Sequence, residues 1–157
     1  MTYEIEEKQI DPRHTATIRF RTPPGPAMGA KLAEVLPEIM SHLKSAGVEV
    51  TGPPFSLYRG MANGTFDLEA GMPVGAPIKE AAQIKPGTLP GGKAAVTWHV
   101  GPYDTLGNAF EAVEKWRRER GYSVRGSEHG PWEVYWTDPG EEIDPAKWRT
   151  EVIWPID

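Results

Sequence analysis

Gly121-Tyr122-Ser123-Val124-Arg125-Gly126-Ser127-Glu128-His129-Gly130-Pro131-Trp132-Glu133-Val134-Tyr135-Trp136-Thr137-Asp138-Pro139 leaves a helix at its first glycine, crosses a loop and enters a short aromatic strand, Trp132 to Thr137. Successive side chains of a strand point to opposite faces, so Trp132, Val134 and Trp136 share one face while Glu133 and Tyr135 share the other. The first face reads as core. The second sets a carboxylate beside a phenol among aromatic rings, where an acid either costs stability or serves a purpose.

The same order of elements occurs earlier in the chain. Ala46-Gly47-Val48-Glu49-Val50, then Pro54-Phe55-Ser56-Leu57-Tyr58, answers Arg120-Gly121-Tyr122-Ser123-Val124, then Pro131-Trp132-Glu133-Val134-Tyr135. Glu69 with Met72-Pro73-Val74 likewise answers Glu151 with Trp154-Pro155-Ile156. An internal duplication of a β-α-β-β unit accounts for this order. The expected fold is α+β, a single domain over 1–157, with pseudo-repeats 1–74 and 93–157 joined by a linker, 75–92, rich in Pro, Gly and Ala. Two such units side by side make one antiparallel sheet with both helices on one face, leaving the uncovered face free to hold a ligand. In this alignment Tyr135 is matched by Tyr58 and Trp132 by Phe55, but Glu133 by Ser56. Pseudo-symmetry therefore does not account for the glutamate.

Each element has its own signal. Tyr3 to Glu7 and Thr15 to Arg21 alternate as half-buried strands. Leu32, Val35, Leu36, Ile39, Met40 and Leu43 form one stripe of a helix that begins near Pro26, carries Pro37 inside it and stops at Gly47. Asn63-Gly64 between Phe55 to Arg59 and Phe66 to Met72 predicts a hairpin, because both turn residues tolerate positive φ. Lys93 to Val100 is the next strand. Asp104 is placed to cap a helix whose apolar face is Leu106, Phe110, Val113 and Trp116. A last strand runs near Arg149 to Trp154.

Composition narrows the function. A hydrophobic fraction of 39% with 25% charged residues is ordinary for a packed domain and too apolar for disorder. The net charge of −5, with Lys115, Arg117, Arg118 and Arg120 interleaved with Glu111, Glu114 and Glu119, argues against nucleic acid. The chain has no cysteine, no signal-peptide pattern and no apolar run of membrane-spanning length, which leads to the expectation of a soluble cytoplasmic protein with no membrane partner. His14, His42, His99 and His129 show no metal-ligand spacing, and Gly91-Gly92 precedes a strand rather than a helix, so neither a metal nor a cofactor is expected. Six tryptophans and five tyrosines point to large buried rings, a ring-lined pocket, or both.

Leu89-Pro90-Gly91-Gly92-Lys93 leading into a strand, Gly101-Pro102-Tyr103-Asp104 opening a helix, Trp132-Glu133-Val134-Tyr135, and the closing Trp154-Pro155-Ile156 come in a particular order and spacing. In these the chain resembles the GyrI-like small-molecule-binding family, which includes effector-binding domains of multidrug-responsive and arabinose-regulator-type transcription factors as well as stand-alone proteins. The resemblance implies a duplicated β-α-β-β fold of the SHS2 type with a ligand cleft between the halves. It also implies that Glu133 faces small aromatic or cationic ligands among aromatic rings. Because the chain enters its first strand almost at Met1, with no helix-turn-helix ahead of it, the expectation is a stand-alone member without a DNA-binding role.

Five further residues join Glu133 as candidates for the site. Tyr135 and Tyr58 line its face, Ser56 is its counterpart in the repeat, and Tyr103 stands where a strand gives way to a helix and side chains overhang a cleft. Trp98 is left open between core and cleft wall, since Val96 and Val100 share its side. The leading functional reading is a binder that sequesters hydrophobic aromatic, often cationic, drugs or toxins. The alternative is a hydrolase of strained cyclopropane-bearing toxins, such as some stand-alone family members resemble, with Glu133 as general base and Tyr103 or Tyr135 donating to the developing anion. A third reading, inhibition of a topoisomerase-like protein partner, has only the acidic loop Asp138, Glu141, Glu142 and Asp144 behind it.

Overall fold

Residues 2–124 and 130–157 are described by the structure, a computed structural model. His129 and the rest of 125–129 in the quoted loop lie outside the described residues. Eight strands form one antiparallel sheet: β1 (Glu6–Ile10), β2 (Arg13–Thr22), β3 (Phe55–Ala62), β4 (Thr65–Val74), β5 (Lys85–Leu89), β6 (Gly92–Val100), β7 (Trp132–Tyr135) and β8 (Arg149–Pro155). Their order across the sheet is β1-β6-β8-β7-β3-β4-β2-β5. The order is symmetric about the β7–β3 pair: β3-β4-β2 on one side mirrors β7-β8-β6 on the other, as the duplicated unit requires.

The outermost strands extend the repeat in a way the sequence pattern does not show. β1 leads into β2 through Asp11-Pro12 yet pairs with β6, while β5 leads into β6 through Pro90-Gly91 yet pairs with β2. Each half thus lends its first strand to the other. The two corners also cross closely, since a Cβ on Gly91 would stand 2.6 Å from Pro12 Cδ. Strands adjacent in the chain lie at opposite ends of the sheet order, so the sheet curls until its ends approach. Lys85–Leu89, inside the stretch expected to be a linker, is strand rather than loop. With Pro86 and Gly87 in it, β5 sits at an edge, where a missing donor is tolerated.

Two helices, α1 (Pro26–Ala46) and α2 (Gly107–Glu119), pack on the same face of this sheet. Val35, Ile39 and Leu43 of α1 bury against Ala16, Ile18, Ala70, Met72 and Val74 of β2 and β4. Each such side chain contributes about 1.5–3 kcal/mol on burial. Ala109 and Val113 of α2 do the same against Ala95 and Val152 of β6 and β8. Pro26 opens α1, Gly47 ends it at φ 69°, and Asn63-Gly64 turns the β3–β4 hairpin at φ 55° and 75°. Asp104, expected to cap α2, lies instead within a 3-10 turn, Tyr103–Thr105, and α2 starts without a side-chain cap.

The face away from the helices is not free. The curl folds it around its own core, in which Phe55, Leu57, Leu89, Val96, Trp132, Val134 and Ile153 are buried. The expectation of a ligand surface on that face is therefore corrected, because closing the curl fills it with side chains. Among the described residues no helix is long and apolar enough to cross a membrane.

Candidate functional site

Cross-strand register fixes which residues look toward the helices. Thr97 pairs with Val152, Val152 with Glu133, Glu133 with Ser56, Ser56 with Ala70 and Ala70 with Ile18. Directly paired residues share a face, so this row lies on the helix side. Because α1 covers β2 and β4 while α2 covers β6 and β8, the central pair β3–β7 forms the floor between the helices. Glu133 stands at the middle of that floor.

Its carboxylate is only 2% exposed and is held by hydroxyl groups. The Tyr58 hydroxyl donates to Oε1 in a short hydrogen bond, and the Tyr135 hydroxyl donates to Oε2 at 2.7 Å. Tyr135 Oη also lies 2.8 Å from Ser56 Oγ. A phenol has a single proton, so when Tyr135 donates to Glu133 it accepts from Ser56. If the carboxyl is neutral, its own proton can go to Tyr135, which then donates to Ser56. Rotation of hydroxyls accommodates either state of the acid.

Burial pushes the Glu133 carboxyl up to about 7, against the hydrogen bonds from Tyr58 and Tyr135, which pull it down. Among the described residues no ion pair involves Glu133. Burial, followed by the field of Glu133, raises the phenols of Tyr58 and Tyr135 well above their ordinary value. Tyr103 is pushed up to about 12, first by burial and then by Glu133 and Asp138. All three remain donors through the neutral range.

Rings enclose this polar centre. Tyr58 meets Phe66 of β4 edge-on at 5.2 Å between centroids and Phe110 of α2 at 5.6 Å. Its hydroxyl reaches within 4.0 Å of Met28 Sδ on α1. The Tyr103 ring stands 5.7 Å from that of Tyr135 and 4.9 Å from that of Trp148. Glu133, Tyr135, Tyr58, Ser56 and Tyr103 are therefore brought together.

Trp98 is not. It pairs in register with Glu151, which in turn pairs with Val134, so it lies on the face away from the acid. There it meets Trp136 at 5.8 Å, with the Arg149 guanidinium 4.5 Å above its ring. Phe110, Phe66, Met28 and Trp148 are the wall residues that sequence reasoning missed. Phe110 belonged to a helix stripe that reads as core, and nothing in its spacing marks it as the residue that meets Tyr58.

The family described as a GyrI-like small molecule binding domain matches residues 1–157 of the chain. The chain belongs to the GyrI-like family. Among solved structures this GyrI-like chain is similar to the EcmrR C-terminal domain, at 26% identity and a TM-score of 0.86, covering 100% of this chain and 99% of that one. In the cryo-EM structure of the EcmrR–DNA complex the match has 26% identity and a TM-score of 0.84, covering 99% of this chain. The chain spans 57% of the length of that DNA-bound regulator. A hydrolase from Listeria innocua matches at 14% identity and a TM-score of 0.70, covering 98% of this chain and 92% of its own. SAV2435, bound to tetraphenylphosphonium, matches at 14% identity and a TM-score of 0.61, covering 98% and 94%. At such identities the last two share the fold. No curated protein matches.

Proposed function

We propose that a cleft opened between α1 and α2 by movement of the rings there binds hydrophobic aromatic compounds, cations in particular, with Glu133 as their charge partner, and that the chain sequesters such drugs or toxins. The observation behind this reading is a buried carboxylate that among the described residues has phenols for partners and no cation. Ionising such a group is costly until a positive charge arrives, so a cation recovers energy that a neutral ligand of the same shape does not. The surrounding rings add contact area and the attraction of their faces for positive charge. For a ligand to reach the carboxylate, the rings of Tyr58, Phe110 or Tyr103 must turn aside.

Tetraphenylphosphonium, the cation bound to SAV2435, is the natural probe. Titration at pH 8, read by tryptophan fluorescence, is expected to show saturable binding. Glu133→Gln should weaken the cation at least about tenfold while changing the affinity for neutral triphenylphosphine oxide by less than about twofold. Equal losses for both ligands would remove Glu133 from charge recognition.

A hydrolase reading has one observation in its favour: a carboxyl held near 7 suits a general base. In that case Glu133 would activate water against a strained cyclopropane and Tyr103 would donate to the developing anion. Both carboxylate oxygens already accept from phenols, which leaves the acid better suited to attracting charge than to taking a proton from water. Product in excess of protein, measured by mass with a cyclopropane-bearing alkylator, would favour the hydrolase.

A further inference from the structure

His99 is fully buried on β6, in the row that runs through Thr150 to Tyr135 on the helix side of the sheet. Its Nε2 lies 3.0 Å from the carbonyl oxygen of Pro102 and 3.1 Å from Thr105 Oγ1. A carbonyl only accepts, so Nε2 carries a proton, and in the neutral imidazole Nδ1 is the acceptor. Nδ1 takes its hydrogen bond from the Tyr3 hydroxyl, 2.8 Å away. The Tyr3 ring also stacks against the imidazole, at 6.0 Å between centroids and 27° between planes. Burial raises the Tyr3 phenol, which keeps it a donor.

These contacts bracket one short element. Pro102 and Thr105 flank Tyr103 in its 3-10 turn, and the Thr105 hydroxyl donates to Pro102 as well, at 3.0 Å. The amide of Gly101 donates to the carbonyl of Trp148 at 2.8 Å, so the ring stacked on Tyr103 is tied to the same turn. On the other side, Thr97 Oγ1 donates to the Glu4 carbonyl at 2.7 Å and holds the N-terminal segment beside β6. A histidine needing only satisfaction in a core could use the Pro102 carbonyl alone. Here both ring nitrogens are committed, which fixes the ring's rotation and joins a segment 96 residues away to the turn.

We propose that His99 is a positioning residue for the Tyr103 wall of the cleft, and that the N-terminal segment, through the Tyr3 hydroxyl, helps to hold that wall. The ligand arm of the test rests on the proposed binding function, whereas the exchange arm does not. Tyr3→Phe removes one hydroxyl and keeps the stacked ring. Without ligand, it should speed amide hydrogen exchange about threefold to tenfold at Thr105 and Leu106, whose amides bond within the turn, and leave β4 unchanged. Tyr122→Phe, which removes a phenol-to-Glu7 bond elsewhere, should leave the turn unchanged. With tetraphenylphosphonium, Tyr3→Phe should lower affinity by a similar factor, and this loss should disappear in a Tyr103→Ala background. Unchanged exchange at Thr105 and Leu106, or losses that multiply independently in the double variant, would overturn the proposal. If the cation does not bind at all, the binding reading fails and the exchange result still decides the role of His99.

Discussion

Glu69 and Glu133 are both buried carboxylates, two strands apart on opposite faces of the sheet, and they differ in their partners. Glu69 receives Arg59 through Nε at 3.0 Å and Nη2 at 2.6 Å, with Thr17 Oγ1 at 3.0 Å on its other oxygen. It is an ion-paired structural acid. Among the described residues Glu133 has only hydroxyls for partners, and burial pushes its carboxyl from the ordinary 4.5 up to about 7. The folded protein therefore keeps a proton that the unfolded chain releases. Stability from this group is fully present below about 4.5 and is lost as pH rises toward about 7, above which the curve flattens. The loss is on the order of 3 kcal/mol. Urea unfolding from pH 4.5 to 8 should show it, and the slope should be absent in Glu133→Gln, which is expected to be the more stable of the two at pH 8. Parallel curves for the two proteins would contradict a raised value for Glu133.

Among the elements, those with a strong period were legible and those defined by a partner were not. The stripe from Leu32 to Leu43 buries Val35, Ile39 and Leu43 but leaves Met40 exposed, Asn63-Gly64 turns the hairpin at positive φ, and the alternation through Trp132, Glu133, Val134 and Tyr135 holds in β7, whereas Trp136, expected on the core face, lies beyond the strand and is exposed. Alternation in β6 says that Val96, Trp98 and Val100 share a face but not which face, and register against β8 decides it. β5 escaped because Pro86 and Gly87 read as linker, although at an edge they are tolerated. The curl has its own local requirement in β4. A Cβ on Gly71 would stand 1.9 Å from the carbonyl oxygen of Ala16, a backbone atom that no side-chain rotation can move away. Gly71→Ala is accordingly expected to cost about 2–4 kcal/mol, seen as a lowered urea midpoint. Gly107→Ala, on open space at the start of α2, should cost far less. Equal midpoints for the two variants would mean that the strands are not held this closely.

For the whole molecule, the mirrored order of strands places Glu133 between the two helices. Each unit brings one helix for three strands, so two units leave the central pair β3–β7 as a floor with helices to either side. The repeat order in the sequence conveyed this much. It did not convey the exchange of β1 and β5, because hydrophobic alternation records burial and not the neighbour that supplies it. Nor did it convey that Phe110 of α2 and Met28 of α1 would pack against the Tyr58 that holds the carboxylate. Those contacts exist only once the halves are packed. Calorimetric titration of the intact protein with tetraphenylphosphonium at pH 6, in two buffers of different ionisation enthalpy, reads the charge state of Glu133 as the cation binds. Glu133 is largely protonated there, so binding of the cation is predicted to release about one proton, with none released by Glu133→Gln and little by the native protein above pH 9. Binding at pH 6 without proton release, or with the same release in Glu133→Gln, would contradict the account of Glu133 as the charge partner.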